Sequence, residues 1–92
     1  MPAYIVVDLT PTDTAKLQEY SALAAETLIP YGGEFLVKGP IEVLHGDQHL
    51  QTKVIIAFPD RESAASWYRS KAYVAIIALR NEAMDSQFHL IG

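Results

Sequence analysis

The sequence contains no cysteine. That absence excludes a disulfide, a thiolate nucleophile and any cysteine-ligated metal, so the chemistry available to the chain uses oxygen and nitrogen groups. Cations are few as well: seven Lys and Arg stand against eleven Asp and Glu, a formal net charge of -4. They are scattered along the chain, whereas phosphate recognition needs them clustered, which argues against nucleic acid and against an anionic membrane surface as partners. No apolar run approaches bilayer-spanning length. The one near the N-terminus, Tyr4 to Val7, lacks a basic leader and is cut by Asp8, so the expectation is a soluble, cytoplasmic protein without membrane contact. Repeats, low-complexity segments and linkers are missing too, and the 92 residues read as one domain without an internal boundary. Nor is there a GxGxxG or a P-loop to cradle a phosphate.

What is present is ordinary globular composition, 50% hydrophobic and 20% charged. A chain of this length lies near the size at which one core is only marginally sufficient, so help from a partner subunit is expected. "AYIVVDL" is rich in β-branched residues and predicts a strand. "TPTDT" follows, with Thr10 as a cap, Pro11 suited to a first helical position and Asp13 favouring the positive end. Leu17, Tyr20, Ala24 and Leu28 then recur at helical spacing, predicting a helix over about Thr12–Leu28 that stops at Pro30, Gly32 and Gly33. "EFLVKG" reads as a second strand, interrupted at Gly39-Pro40 before "IEVL" resumes it. "HGDQH" turns the chain into a third strand, "TKVIIAFP". Asp60 caps the next helix. Ser70 restarts it at a new angle, after which Tyr73, Ile76, Ile77, Arg80 and Met84 share one helical face. "SQFHLIG" supplies a final strand.

The order strand, helix, strand, strand, helix, strand is the ferredoxin-like βαββαβ plan, an α+β fold in which a four-stranded antiparallel sheet carries its helices on one face. Ile5, Val6 and Val7, and likewise Val54, Ile55 and Ile56, are apolar on both faces of their strands. Helices cover only one face. The other is an association surface, and its simplest closed solution is a twofold homodimer, sheet face against sheet face.

"YGGEFLVKG", "EVLHGD" and "FPDRESAASWYRSKAYVAIIALR" together resemble the family grouped as domain of unknown function 1330, over nearly the whole chain. The specific elements are Tyr31-Gly32-Gly33, Gly39, Phe58-Pro59, Trp67-Tyr68, Ser70, Tyr73 and Arg80. The resemblance implies a dimeric α/β-barrel of ferredoxin-like subunits. Related barrels include cofactor-independent monooxygenases, lactone isomerases and haem-dependent enzymes, so it leaves the chemistry open. This chain departs from the family at Lys53, where an arginine is expected, and loses any bidentate anion contact there.

Several residues carry a functional reading beside a structural one. Arg80 falls on an apolar helical face; it either binds the oxygen of a carboxylate, enolate or phenolate in a cleft, or packs its stem and reaches a structural partner. Asp8, near the end of the first strand, is either a general base or the partner of Arg80. Trp67, Tyr68 and Tyr73 are core at helical spacing, or the walls of an apolar pocket, with Trp67 assigned to the core and Tyr73 to the pocket. Tyr20 and Tyr31 share that ambiguity. His45 is a cleft acid/base or a solvated turn residue, and its spacing to Asp47 and His49 matches no established metal motif. His89 reads as a sheet or dimer-interface residue. The functional expectation is a small homodimer binding or transforming an anionic or phenolic organic molecule in a cleft between helices and sheet. Turnover would be cofactor-independent proton transfer or oxygenation, with Asp8 or His45 moving the proton and Arg80 stabilising an oxyanion. The alternative is a non-enzymatic ligand-binding or scaffold protein. No cofactor or metal is expected.

Overall fold

The computed structural model describes all residues, Met1–Gly92. Strand β1 (Ala3–Pro11) runs further than its β-branched segment, because Thr10 and Pro11 stay in the sheet opposite Asp85 and Met84. Thr10 therefore does not cap the first helix. Asp13 does: its carboxylate accepts from the Lys16 N–H at 3.1 Å, and α1 spans Thr14–Leu28. A 3-10 turn over Ile29–Tyr31 closes it, with Gly32 in the left-handed region at φ 69. Gly33 is required for a different reason, close packing. A Cβ there would stand 2.8 Å from both Leu28 Cδ2 and Phe58 Cε1.

Strand β2 (Glu34–Pro40) is followed by an irregular segment, 41–51, before β3 (Thr52–Phe58). "IEVL" does not resume the strand; after Ile41 donates to the Gln51 carbonyl the chain leaves the ladder. Asp60 caps α2 (Arg61–Arg69) through the Ser63 N–H at 2.7 Å. Ser70 then turns the chain: its hydroxyl donates to the Trp67 carbonyl and accepts from the Tyr73 N–H, opening α3 (Lys71–Val74). A turn at Ala75 and Ile76 precedes α4 (Ile77–Ala83), and β4 (Met84–Ile91) follows at once. The single helical face expected from Tyr73 to Met84 is thus broken, with Met84 already in the sheet.

The sheet order is β2-β3-β1-β4 with every pair antiparallel, a ferredoxin-like α+β fold. Ile5 lies between Ile56 and Leu90, and Val7 between Val54 and Phe88. This face meets the helices, and with Tyr20, Leu28, Trp67 and Tyr73 it forms the core. Each such fully buried side chain contributes roughly 1.5–3 kcal/mol by leaving water.

The opposite face carries no helix, although Asp8 on it is buried. Its rows across β3, β1 and β4 read Ala57–Tyr4–Ile91, then Ile55–Val6–His89, then Lys53–Asp8–Gln87. The first two rows are largely apolar and only half-buried or exposed, as the two-faced strands require.

Candidate functional site

Helix register delivers Arg80 to the helix side of the sheet, where three aromatic residues surround it. Its Nη1 donates to the hydroxyls of Tyr68 at 2.9 Å and Tyr73 at 3.3 Å, and its Nε to the Asn81 side chain at 3.2 Å. The guanidinium carbon lies 4.8 Å from the Phe88 ring centroid, within cation–π range. Beyond Tyr73 the chain of oxygens continues to Tyr20, whose hydroxyl is 2.7 Å away and buried. No carboxylate pairs with Arg80; the ion pairs of the molecule are Lys16–Glu82 and Lys53–Asp8.

The electrostatics follow from this geometry. Burial holds the Tyr20 phenol well above its ordinary value, and the neighbouring Tyr73 raises it further. Burial also raises Tyr73, against opposing hydrogen bonds from Tyr20 and Arg80. For Arg80 burial works against the charge, but hydrogen bonds to Tyr73 and Tyr68 outweigh it and the net direction is upward. The result is a permanent cation joined to Tyr73 and, through it, to Tyr20, two phenols whose protons are held more firmly than usual.

Beside this chain lies a cavity of about 340 Å³ between α1 and the sheet. Val7, Val54 and Ile56 form its floor, and Leu17, Ala24 and Leu28 its roof. Trp67 and Phe88 wall one side, while Phe35 and Lys38 of β2 stand at an edge where both are exposed. Most of the lining is apolar, the composition of a small-molecule pocket. Tyr20 is the one residue that belongs both to the cavity wall and to the Arg80 chain.

The residues expected from sequence are not all gathered here. Trp67 and Tyr20 line the cavity, and Tyr73, Tyr68 and Arg80 stand behind Tyr20. Trp67 is in the core as assigned and also borders the cavity, whereas Tyr73, assigned to the pocket wall, is wholly buried and lies outside the lining. Tyr31 packs against the core outside the cavity wall.

Asp8 is not the partner of Arg80, because an even position of β1 points to the open face and the sheet lies between them. Its Oδ1 lies 3.3 Å from Lys53 Nζ without a well-directed hydrogen bond, and its Oδ2 accepts from Gln87 at 3.0 Å. His45 is exposed in the 41–51 segment and does not reach the cavity wall. Asp8, His45 and Arg80 therefore do not form one constellation. Lys53 pairs with Asp8 where an anion contact was in question. No group of three or more His, Asp or Glu side chains is gathered as a metal would require.

Sequence reasoning missed Lys38, Phe35 and Ala24. The roof residues carried the signal of helical spacing from Leu17 to Leu28, which reads equally as core. For Lys38 there was no signal, since its face is set by an irregularity in β2.

An antiparallel four-stranded sheet, helices on one face and an apolar cavity beneath α1 define a ferredoxin-like α+β protein with a small-molecule-sized pocket. The chain belongs to the DUF1330 family, the domain of unknown function whose family model matches residues 2–92. No curated protein matches it. Among solved structures it is similar to a protein of unknown function from Rhodopseudomonas palustris, with a TM-score of 0.78 and 17% identity over 98% of this chain and 80% of that one. A dimeric ferredoxin-like protein of unknown function from Jannaschia sp. CCS1 gives a TM-score of 0.75 and 13% identity, covering 100% of this chain and 99% of its own. SnoaB, a cofactor-independent oxygenase from Streptomyces nogalater, gives 0.71 and 13%, covering 99% and 91%. At these identities the likeness is one of fold. No helix is long and apolar enough to cross a membrane.

Proposed function

We propose that the protein is a cytoplasmic homodimer of single-domain subunits, each of which binds a small, mainly apolar organic molecule with an anionic or phenolic group in the cavity beneath α1. The observation that carries this reading is the cavity itself: about 340 Å³, mostly apolar and joined through Tyr20 to a polar chain ending in a cation. A planar apolar body suits the Trp67 and Phe88 wall, and a phenol oxygen suits the Tyr20 end.

Binding is favoured over turnover because no His, Asp or Glu lines the cavity, and Asp8 and His45 stand away from its wall. A reaction there would draw on the substrate's own reactivity, as in cofactor-independent oxygenation, the activity named for SnoaB. The Tyr20–Tyr73–Arg80 chain favours that second reading, since polarised phenol donors stabilise a developing phenolate. The dimer is supported by the uncovered apolar sheet face and by the dimeric relative from Jannaschia.

Calorimetric titration with naphthol and naphthoate tests the binding reading. Saturable heat is expected with the native protein, and at least tenfold weaker binding with Ala24→Phe, which fills the cavity from its roof. Equal binding by a folded Ala24→Phe contradicts it. Oxygen uptake during the naphthol titration separates turnover from binding.

A further inference from the structure

The second strand contains one irregularity, and it decides which of its side chains reach the cavity. Glu34 pairs with Ala57 and Phe35 with Ile56 in regular alternation. The register then shifts, leaving Leu36 as an extra residue, so that Val37 pairs with Ile55 and Lys38 with Val54. Ile55 belongs to the open face, while Val54 and Ile56 belong to the cavity floor. Without the extra residue, alternation would put Lys38 on the open face and Val37 on the cavity face. The bulge exchanges them, and re-aiming a side chain is a recurrent use of such bulges.

Lys38 is therefore the one charged residue in the wall of an otherwise largely apolar cavity. It forms neither of the molecule's ion pairs, and its side chain makes no hydrogen bond within the chain. Phe35, on the same face of β2, borders the same edge and is exposed. A lysine whose stem lies along apolar surface with its ammonium at the solvent boundary is suited to the acidic group of a molecule whose apolar part is inside.

We infer that Lys38, turned inward by the bulge at Leu36, is the specificity residue for the ligand's charge. The cavity takes an amphipathic monoanion, an aromatic or branched body held inside with its acidic group outward at Lys38, the Tyr20 end being left for a neutral phenol oxygen where the body carries one. The inference rests on the cavity reading above and adds the sign, the position and the orientation of the ligand's charge.

The test uses two probes of nearly the same shape: anilinonaphthalene sulfonate, an anion, and phenylnaphthylamine, its neutral counterpart without the sulfonate. Fluorescence titrations are run on the native protein, Lys38→Met, Lys38→Glu and Ala24→Phe. Lys38→Met keeps most of the stem and changes an exposed position, so folding is spared. It is expected to weaken the anionic probe about fivefold, the scale of a solvent-exposed charge pair, and to leave the neutral probe within about twofold. Lys38→Glu is expected to widen that difference, and added salt to narrow it in the native protein alone. An unchanged ratio of the two probes in Lys38→Met, with Ala24→Phe weakening both, overturns the role of Lys38 and leaves the cavity reading standing. Both probes indifferent to Ala24→Phe overturns the cavity reading and the inference together. If Ala24→Phe unfolds, Ser21→Leu, at a half-buried position of the cavity wall, replaces it and is read in the same way.

Discussion

At the scale of single residues, the molecule's most unusual feature is a half-buried arginine served by neutral oxygens in place of a carboxylate. Such a cation is held by several charge-assisted hydrogen bonds and by aromatic faces. One consequence is an alkaline limit to stability. Tyr20 and Tyr73 keep their protons in the folded state above the pH at which an unfolded phenol, with a value of about 10, loses its own. Above that pH the unfolded chain binds fewer protons than the folded one, so stability is fully present below it and falls as pH rises, by up to about 1.4 kcal/mol per pH unit for each phenol. Chemical denaturation at rising pH should show this slope, reduced in Tyr20→Phe. A native protein in which all five tyrosines ionise reversibly before unfolding would contradict it. The oddity of Arg80 was legible, since helical register alone put a charge on an apolar face. Its partners were not, because the breaks at Ser70 and at Ala75 and Ile76 choose which hydroxyls it meets, and the apolar periodicity runs straight across both breaks. Strand alternation groups Asp8 with Tyr4 and Val6, but judging its pairing with Arg80 required knowing which face the helices cover.

At the scale of elements, local signals work where a side chain bonds the backbone nearby. Asp60 and Ser70 cap the helices that follow them, and both were legible because capping needs only the residue and its spacing. Thr10 misled because sheet pairing with Asp85 outcompeted the cap, a tertiary contact that local chemistry does not display. Likewise "IEVL" has strand propensity but no partner strand to use it. Gly33 shows the same division: its neighbour Gly32 needs a left-handed backbone, whereas Gly33 needs space against Leu28, at the end of the preceding helix, and Phe58, which only the fold brings beside it. Gly33→Ala is therefore expected to destabilise by about 1–3 kcal/mol through overpacking of Leu28 and Phe58, both nearly fully buried. Urea denaturation measures it, and a change below about 0.5 kcal/mol would show that this contact yields freely. The bulge at Leu36 had no signature at all in the sequence, and with it the direction of Lys38 stayed hidden.

At the scale of the whole molecule, the most legible property was the pair of strands apolar on both faces. Set on the antiparallel plan read from the order of elements, it led to one apolar face without helices, now seen in the rows around Tyr4 and Val6. The proposed dimer closes that face. Sedimentation should find a dimer at micromolar concentration, and Ile55→Asp, which sets a carboxylate on the open face of each copy, should yield a folded monomer. A native monomer, or a dimer indifferent to Ile55→Asp, would remove the sheet faces as the interface. The cavity lies on the opposite side of the sheet, so ligand binding should survive in the monomer.

The central claim, a ligand in the cavity beneath α1, is tested most directly at Trp67, the only tryptophan in the chain and part of the cavity wall. Its indole N–H, bonded to the Thr27 hydroxyl at 3.0 Å, gives a single signal in a proton–nitrogen correlation spectrum. During titration with naphthoate the indole signal is expected to move and saturate together with the amides of Ala24 and Val54. Saturation at the open-face residues Val6 and Ile55 with the indole signal unmoved would place the ligand on the other side of the sheet and contradict the account.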